Sequence, residues 1–333
     1  MARPALATAR GSSGGEGGFH TPPRRREIVD LLKSPPLNSY EWSLRNRPRS
    51  YLKQKSFMED MAEAPTRSES EFIFGEKVGE GAFGTVRKAF QRSQEDHDDW
   101  GCLKITRGCA RSEGHLVQYL AKSLQAPRVL LRVFLSWEEM ASPAAFVFME
   151  FLPGEIAPHS CCGRDASSAQ RAATILFDVL TALAFLAAEF VVHRDVKPDN
   201  IRERADGDKV LCDYGRATHV LMTQTFPLNP IGLGSKMYLA PEMCRLPVEN
   251  FNKHDAFAAG RTLQHILAPA DMKTNWEEFD YAAAWFKPAV DGLLQPSFED
   301  RFSAFEALQM LDFDSEAPVA GIAARTRSLV EEA

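Results

Sequence analysis

The segment His193-Arg194-Asp195-Val196-Lys197-Pro198-Asp199-Asn200 sets a carboxylate, an ammonium and an amide in close succession, and Asp213-Tyr214-Gly215 adds a second carboxylate downstream. These types at this spacing suit phosphoryl transfer. Asp195 can accept or orient the proton of an attacking hydroxyl, Lys197 can reach the moving phosphate, and Asn200 and Asp213 offer hard oxygens to Mg2+. Such a reaction leaves the protein little covalent work, so positioning and charge neutralisation are the tasks to look for elsewhere in the chain.

Upstream, Val78-Gly79-Glu80-Gly81-Ala82-Phe83-Gly84-Thr85-Val86 has the glycine spacing that lets backbone N–H groups approach phosphates closely. The same spacing can open a dinucleotide fold, where a helix should follow and an acidic residue should stand about 20 positions on. Here the glycines lead into Val86-Arg87-Lys88-Ala89-Phe90, an extended run followed by a polar turn. Strand, loop and strand is the pattern this implies. Next comes Trp100-Gly101-Cys102-Leu103-Lys104-Ile105, where alternation turns Leu103 and Ile105 to one face and Lys104 with Cys102 to the other. Cys102 is small and apolar enough to lie against adenine.

In this order the segments resemble the eukaryotic protein kinase family over about residues 70–315. The resemblance implies an α+β, two-lobed fold with a small β-rich N-lobe and a larger helical C-lobe. It implies ATP and Mg2+ as cofactors, with Val78, Gly79, Glu80, Gly81, Ala82, Phe83, Gly84 and Val86 covering the nucleotide and Lys104 on its α- and β-phosphates. Lys197, two residues after the aspartate, goes with serine/threonine kinases, so the expected activity is that of a protein serine/threonine kinase. The lysine of such proteins pairs with a helix glutamate. Glu113 starts an apolar stripe of Leu116, Val117 and Leu120 and is the expected partner, with Gln118 as the rival position.

Further along, Phe146-Val147-Phe148-Met149-Glu150-Phe151-Leu152-Pro153-Gly154 reads as a strand entering the hinge. Met149 is expected at the back of the adenine site, with backbone groups from Glu150 to Leu152 on the adenine edge. Phe146 and Phe148 read as core. Cys161-Cys162-Gly163 says nothing about chemistry, and Ser167 to Phe190 reads as a long central helix. Gly234-Ser235-Lys236-Met237-Tyr238-Leu239-Ala240-Pro241-Glu242 supplies the family's Pro-Glu anchor. Glu242 is expected to be buried against Arg301, and Asp255 and Gly260 to begin the helix that ties down the catalytic loop. Two departures from the family stand out. Cys102 replaces alanine, and Tyr214 replaces phenylalanine, adding a hydroxyl that needs a partner.

The chain has 333 residues, 44% hydrophobic and 25% charged, which is enough for a two-lobed core and an extension. The expected division is a basic, largely disordered extension over 1–69, a kinase domain over 70–315 and a tail over 316–333. Residues 1–55 contain eleven Lys/Arg against four Asp/Glu, a net of +7, which leaves −13 of the formal −6 for the remainder. Gly11 to Gly18 is low in complexity, and Arg26 to Lys33 could form a short amphipathic helix. The tail suits an anionic partner, a docking segment or a transit peptide. No apolar stretch is expected to approach a membrane span, and nucleic acid is not an expected partner. The six cysteines show no metal-binding spacing, so reduced thiols in the cytoplasm are the reading, with the nucleus or an organelle as alternatives.

Two functions from different classes fit these residues: an active kinase acting on protein Ser/Thr, and a nucleotide-binding scaffold that works through partners. Lys104, Asp195, Asn200 and Asp213 together favour the first. Arg194, beside the catalytic aspartate, suggests control by phosphorylation of Thr218, Thr223 or Thr225, whereas Ser235 reads as substrate-side scaffold. Trp276, Phe279, Tyr281, Trp285 and Phe286 form an aromatic-rich stretch read as core or as a helix-packing surface, with a docking groove as the alternative.

Overall fold

The computed structural model describes residues 68–81, 84–92, 100–107, 113–122, 126–138, 144–162, 166–219, 235–244, 252–268 and 286–311. The expectations placed on the N-terminal extension, on Ala82 and Phe83, on Thr223 and Thr225, on Trp276, Phe279, Tyr281 and Trp285, and on the C-terminal tail lie outside the described residues.

Five strands build the smaller lobe: β1 (Phe72–Gly81), β2 (Gly84–Gln91), β3 (Gly101–Arg107), β4 (Val133–Glu138) and β5 (Ala144–Glu150). They form one antiparallel sheet in the order β1-β2-β3-β5-β4. Alternation sends Phe72, Ala89, Leu103, Phe146 and Phe148 to one buried face, where Trp137 stacks between Phe72 and Phe146 at centroid separations of 5.2 and 5.0 Å. Helix α1 (Glu113–Ala121) lies across β4. It comes very close, because a Cβ on Gly114 would stand 2.2 Å from Ser136 Oγ. Leu116, Val117 and Leu120 make its buried stripe, as the spacing predicts.

The larger lobe is built on α2 (Ala166–Ala188), packed by α3 (Asn252–Leu267) and α5 (Ala304–Met310), with α4 (Lys287–Leu293) against both α3 and α5. Ser303 and Glu306 close a reciprocal capping box at the start of α5. One expectation changes here. The stretch Ser167–Ala188, with mean hydropathy 1.7, is long and apolar enough to cross a membrane. Its Ile175, Leu176, Val179, Leu180, Leu183 and Leu186 are buried in the lobe's core, and a helix apolar on most sides is what such a core demands.

Two small sheets support the segments that carry Asp195 and Asp213. Strands β6 (Gly154–Glu155), β8 (Ile201–Glu203) and β9 (Lys209–Leu211) pair in the order β6-β8-β9, and β7 (Val191–Val192) pairs with β10 (Thr218–His219). The architecture is the two-lobed α+β arrangement expected from the motifs.

Candidate functional site

Lys104 stands in mid-β3, opposite Val86 on one side and Val147 on the other, so its backbone is fixed by two ladders. Its Nζ donates to both Glu113 oxygens, at 2.8 and 2.7 Å, and to Asp213 Oδ1 at 2.7 Å. Lys104 and Glu113 are almost fully buried. Burial alone would lower the Lys104 pKa, but Glu113 and Asp213 raise it above the ordinary lysine value. Burial would likewise raise Asp213, and the Lys104 charge and hydrogen bond reverse that and hold it below the usual carboxylate range. Gln118 is elsewhere, donating to the Phe134 carbonyl at 3.0 Å on the surface. Glu113 is therefore the helix residue that meets the lysine.

The glycine segment forms the β1–β2 hairpin, with Gly81 paired to Gly84. Gly84 has φ 130°, and a Cβ there would sit 2.2 Å from the Ile105 carbonyl oxygen, so only glycine fits. A Cβ on Gly79 would meet no atom of the described residues within 4 Å. Val78 and Val86 are half-buried, whereas Glu80 is exposed and ion-paired with Lys77.

The segment 193–200 follows β7. Asp255, at the start of α3, accepts the backbone N–H groups of His193 at 2.6 Å and Arg194 at 2.9 Å. These bonds stabilise a backbone in which Arg194 has φ 69°, an uncommon conformation for a side-chain-bearing residue. Thr262 adds a bond to the Val196 carbonyl. His193 Nε2 is 3.0 Å from the Cys212 carbonyl, and Nδ1 accepts the Asp195 N–H at 3.3 Å. Together these define the neutral tautomer protonated at Nε2, and burial pushes the His193 pKa down.

Asp195 receives bonds on both carboxylate oxygens. Lys197 Nζ reaches Oδ2 at 2.9 Å and Asn200 Nδ2 reaches it at 3.1 Å, while the Ser235 N–H reaches Oδ1 at 3.2 Å. Lys197 also donates to Ser235 Oγ at 3.2 Å. Asn200 Nδ2 is further held by the Asp195 carbonyl at 2.7 Å, which commits the amide nitrogen to Asp195 and leaves the amide oxygen as the atom that could hold a cation. Cys212 N–H donates to the Asn200 carbonyl at 2.8 Å, and Ile201 pairs with Leu211, so β8 and β9 bring Asn200 alongside Asp213. Asp213 itself adopts φ 61° and ψ 70°.

Sequence reasoning passed over Arg216, whose Nε lies 3.8 Å from Asp195 Oδ2. Its place directly after Asp213-Tyr214-Gly215 was the available signal.

Two expectations about the scaffold are corrected. Glu242 and Arg301 do form a two-pronged pair, with Arg301 Nη2 2.9 Å from Glu242 Oε2 and Nη1 bonded to Oε1. Arg301 is the buried member, however, while 24% of the Glu242 side chain is exposed. Glu242 also meets His254 Nδ1 at 2.8 Å, a partner absent from the sequence reading. Burial favours the neutral acid, but His254 and Arg301 outweigh it and pull the Glu242 pKa down to about 2. The second correction concerns Tyr214: its ring packs edge-on against His193 at 4.8 Å, but its buried hydroxyl has no hydrogen-bond partner among the described residues.

At the connection between the lobes, Met149 and Glu150 end β5 and Leu152 is buried just beyond them. Glu150 N–H is spent on the Arg132 carbonyl at 3.0 Å. Cys102 pairs with Met149 across β3 and β5, and burial pushes its thiol up to about 11. Glu150 also carries an unforeseen bidentate contact from Arg204, with Nε 2.9 Å from Oε2 and Nη2 2.7 Å from Oε1.

Residues 72–311 match the model of the protein kinase domain, and the chain belongs to that family. It is similar to serine/threonine-protein kinase PEPKR2 of Arabidopsis thaliana, 30% identical over 251 residues, which is 73% of this chain and 50% of that protein. Mitogen-activated protein kinase kinase kinase 3 of Homo sapiens is 25% identical over 261 residues, 74% of this chain and 40% of the relative. A Wee1-like protein kinase of Oryza sativa subsp. japonica is 24% identical over 271 residues, covering 75% and 48%. The chain thus spans about half the length, or less, of these curated relatives.

Proposed function

We propose that this chain transfers the γ-phosphoryl group of Mg-ATP to serine or threonine hydroxyls of proteins. The carrying observation is the convergence of Lys104 with Glu113 and Asp213, beside Asp195 with Lys197 and Asn200.

The residues fit Mg-ATP. Asp213 is held ionised, Asn200 has its amide nitrogen committed to Asp195 and its oxygen left as a ligand, and such hard oxygens suit Mg2+. The open space over Gly79 is what a phosphate chain under the β1–β2 hairpin requires. When bound, Mg-ATP supplies the transferable phosphoryl group and the cation that shields its oxygens.

The chain's own residues supply the rest. Lys104, oriented by Glu113, presents its ammonium to the α- and β-phosphates. Asp195, fixed by bonds from Asn200 and Ser235, accepts or orients the proton of the incoming hydroxyl. Lys197 already bridges Asp195 and Ser235, so its ammonium is in place to offset charge on the moving phosphoryl oxygens. Lys197 and the name of the Arabidopsis thaliana relative favour Ser/Thr acceptors. The basic extension is assigned to an anionic or docking partner of the protein.

The test is an arrayed peptide library incubated with labelled ATP and Mg2+, beside equilibrium binding of nucleotide. Phosphoserine and phosphothreonine products support the reading. Nucleotide binding without transfer to any peptide would favour the scaffold, and mainly phosphotyrosine would overturn the residue preference.

A further inference from the structure

Arg204 lies just beyond β8 in the larger lobe, yet its guanidinium closes on Glu150, the last residue of β5 in the smaller lobe. Each side chain is only 11% exposed, so solvent screens the pair weakly. The third nitrogen of the fork, Nη1, donates to the Arg128 carbonyl at 2.9 Å and to Asp208 Oδ2 at 3.4 Å. Every nitrogen of Arg204 therefore has an acceptor. On the other side of the pair, Glu150 Oε1 also accepts the Arg132 N–H at 2.9 Å. The contact thus joins the entry to β4, the end of β5 and the β8–β9 turn.

The far end of the same connection is held as well. Arg202, two residues before Arg204, pairs with Glu155 in the β6–β8 ladder and reaches Glu155 Oε1 at 2.5 Å. Gly154 is pressed onto β8 so closely that a Cβ would lie 2.5 Å from the Glu203 Cβ. The connection 150–155 is thus fixed at its exit by a backbone ladder and at its entry by one side-chain pair to the larger lobe.

We propose that Arg204 is a positioning residue for the nucleotide site, gripping Glu150 so that the backbone of 150–155 meets the nucleobase edge in a fixed place. The inference rests on the kinase reading above. It accounts for an arginine at a position where a lysine could carry the same charge, because only a planar fork makes two parallel bonds to one carboxylate. Hydrogen bonds to a base edge are sensitive to small displacements, so loosening the grip should weaken nucleotide binding and leave the catalytic segment alone.

The experiment uses the full chain as wild type, Arg204→Met, Arg204→Lys, Glu150→Gln and the Arg204→Met/Glu150→Gln double variant. Four quantities are measured: the dissociation constant of a fluorescent ATP analogue with Mg2+, kcat, KM for ATP, and amide hydrogen exchange along the chain, with 150–155 compared against β1–β3. In Arg204→Met the dissociation constant and KM should rise roughly tenfold with kcat within about twofold, and exchange should quicken in 150–155 but not in β1–β3. Arg204→Lys should fall between wild type and Arg204→Met. The double variant should be no worse than the worse single variant, since both remove one interaction.

Unchanged nucleotide binding in Arg204→Met would overturn the proposal. So would a fall in kcat with protection lost throughout both lobes, which marks a purely structural role. A wild-type protein that binds no nucleotide overturns the kinase reading and the nucleotide role with it, whereas wild-type binding matched by Arg204→Met sinks the Arg204 role alone.

Discussion

Lys104 and Asp213 are 109 residues apart in the chain and 2.7 Å apart in space. One ammonium thus joins the third strand of the smaller lobe, helix α1 through Glu113, and the segment after β9 in the larger lobe. The contact makes the closeness of the lobes depend on charges that the nucleotide's phosphates would share.

Glu113→Gln removes the anion that orients Lys104 within a buried setting. We expect kcat/KM to fall roughly 10- to 100-fold, the cost of a misplaced phosphate contact. Gln118→Ala, which loses only a bond to the Phe134 carbonyl at the surface, should stay within about twofold of the parent. Steady-state kinetics on the two variants separates them, and equal losses would mean that α1 acts through its packing and not through Glu113.

Tyr214→Phe deletes a buried hydroxyl that has no partner among the described residues. An unsatisfied buried polar group costs about 1–3 kcal/mol, so the variant should be more stable by about 1 kcal/mol, a rise of roughly 2–4 °C in Tm. Calorimetry reads this directly. A lower Tm would mean that the hydroxyl is bonded in solution.

Glu242 should carry a pH signature. Its carboxyl is lowered from 4.5 to about 2, so the stability it contributes is present above its unfolded value and is lost as the pH falls through about 4.5 towards 2. The contribution is on the order of 2–3 kcal/mol after discounting for partial exposure. Glu242→Gln should therefore be destabilised at pH 7, and the gap to wild type should narrow on acidification. Denaturant unfolding at pH 7, 4 and 3 measures the gap, and a constant difference would contradict the account.

Thiol reactivity should divide by burial. Burial pushes Cys102 up to about 11 and raises Cys212 strongly, whereas Cys162 is exposed. Brief treatment with iodoacetamide at neutral pH followed by peptide mass mapping should find Cys162 modified, with Cys102 and Cys212 spared until denaturant is added. Early labelling of Cys102 would mean that the face of β3 carrying it is open to solvent.

The residues that converge in the cleft were legible because each lies in a segment with its own local spacing: Gly79 to Gly84, Lys104 within its strand, Asp195 to Asn200, and Asp213. Glu113 was legible through the helical stripe it starts, which favoured it over Gln118, and the contact with Lys104 decided between them. What escaped were contacts made only by the fold. Arg204 and Glu150 are 54 residues apart with no motif that links them, and His254 reaches Glu242 only because α3 brings it to the Pro-Glu anchor. Burial was misjudged where neighbours decide it: Glu242 keeps a quarter of its side chain in solvent because Arg301 takes the interior place. The apolar length of α2 could not tell a core helix from a membrane span, since the distinction lies in what packs around it.

The most direct test is the rate of phosphate transfer from γ-labelled ATP to a protein acceptor by wild type and Asp195→Asn, with nucleotide binding measured on both. Wild type should label serine and threonine. Asp195→Asn should bind nucleotide nearly as well and transfer roughly 10²–10⁴-fold more slowly, the usual worth of a positioned base. Transfer by Asp195→Asn at the wild-type rate, or no transfer by wild type to any acceptor, would contradict the assignment of this site.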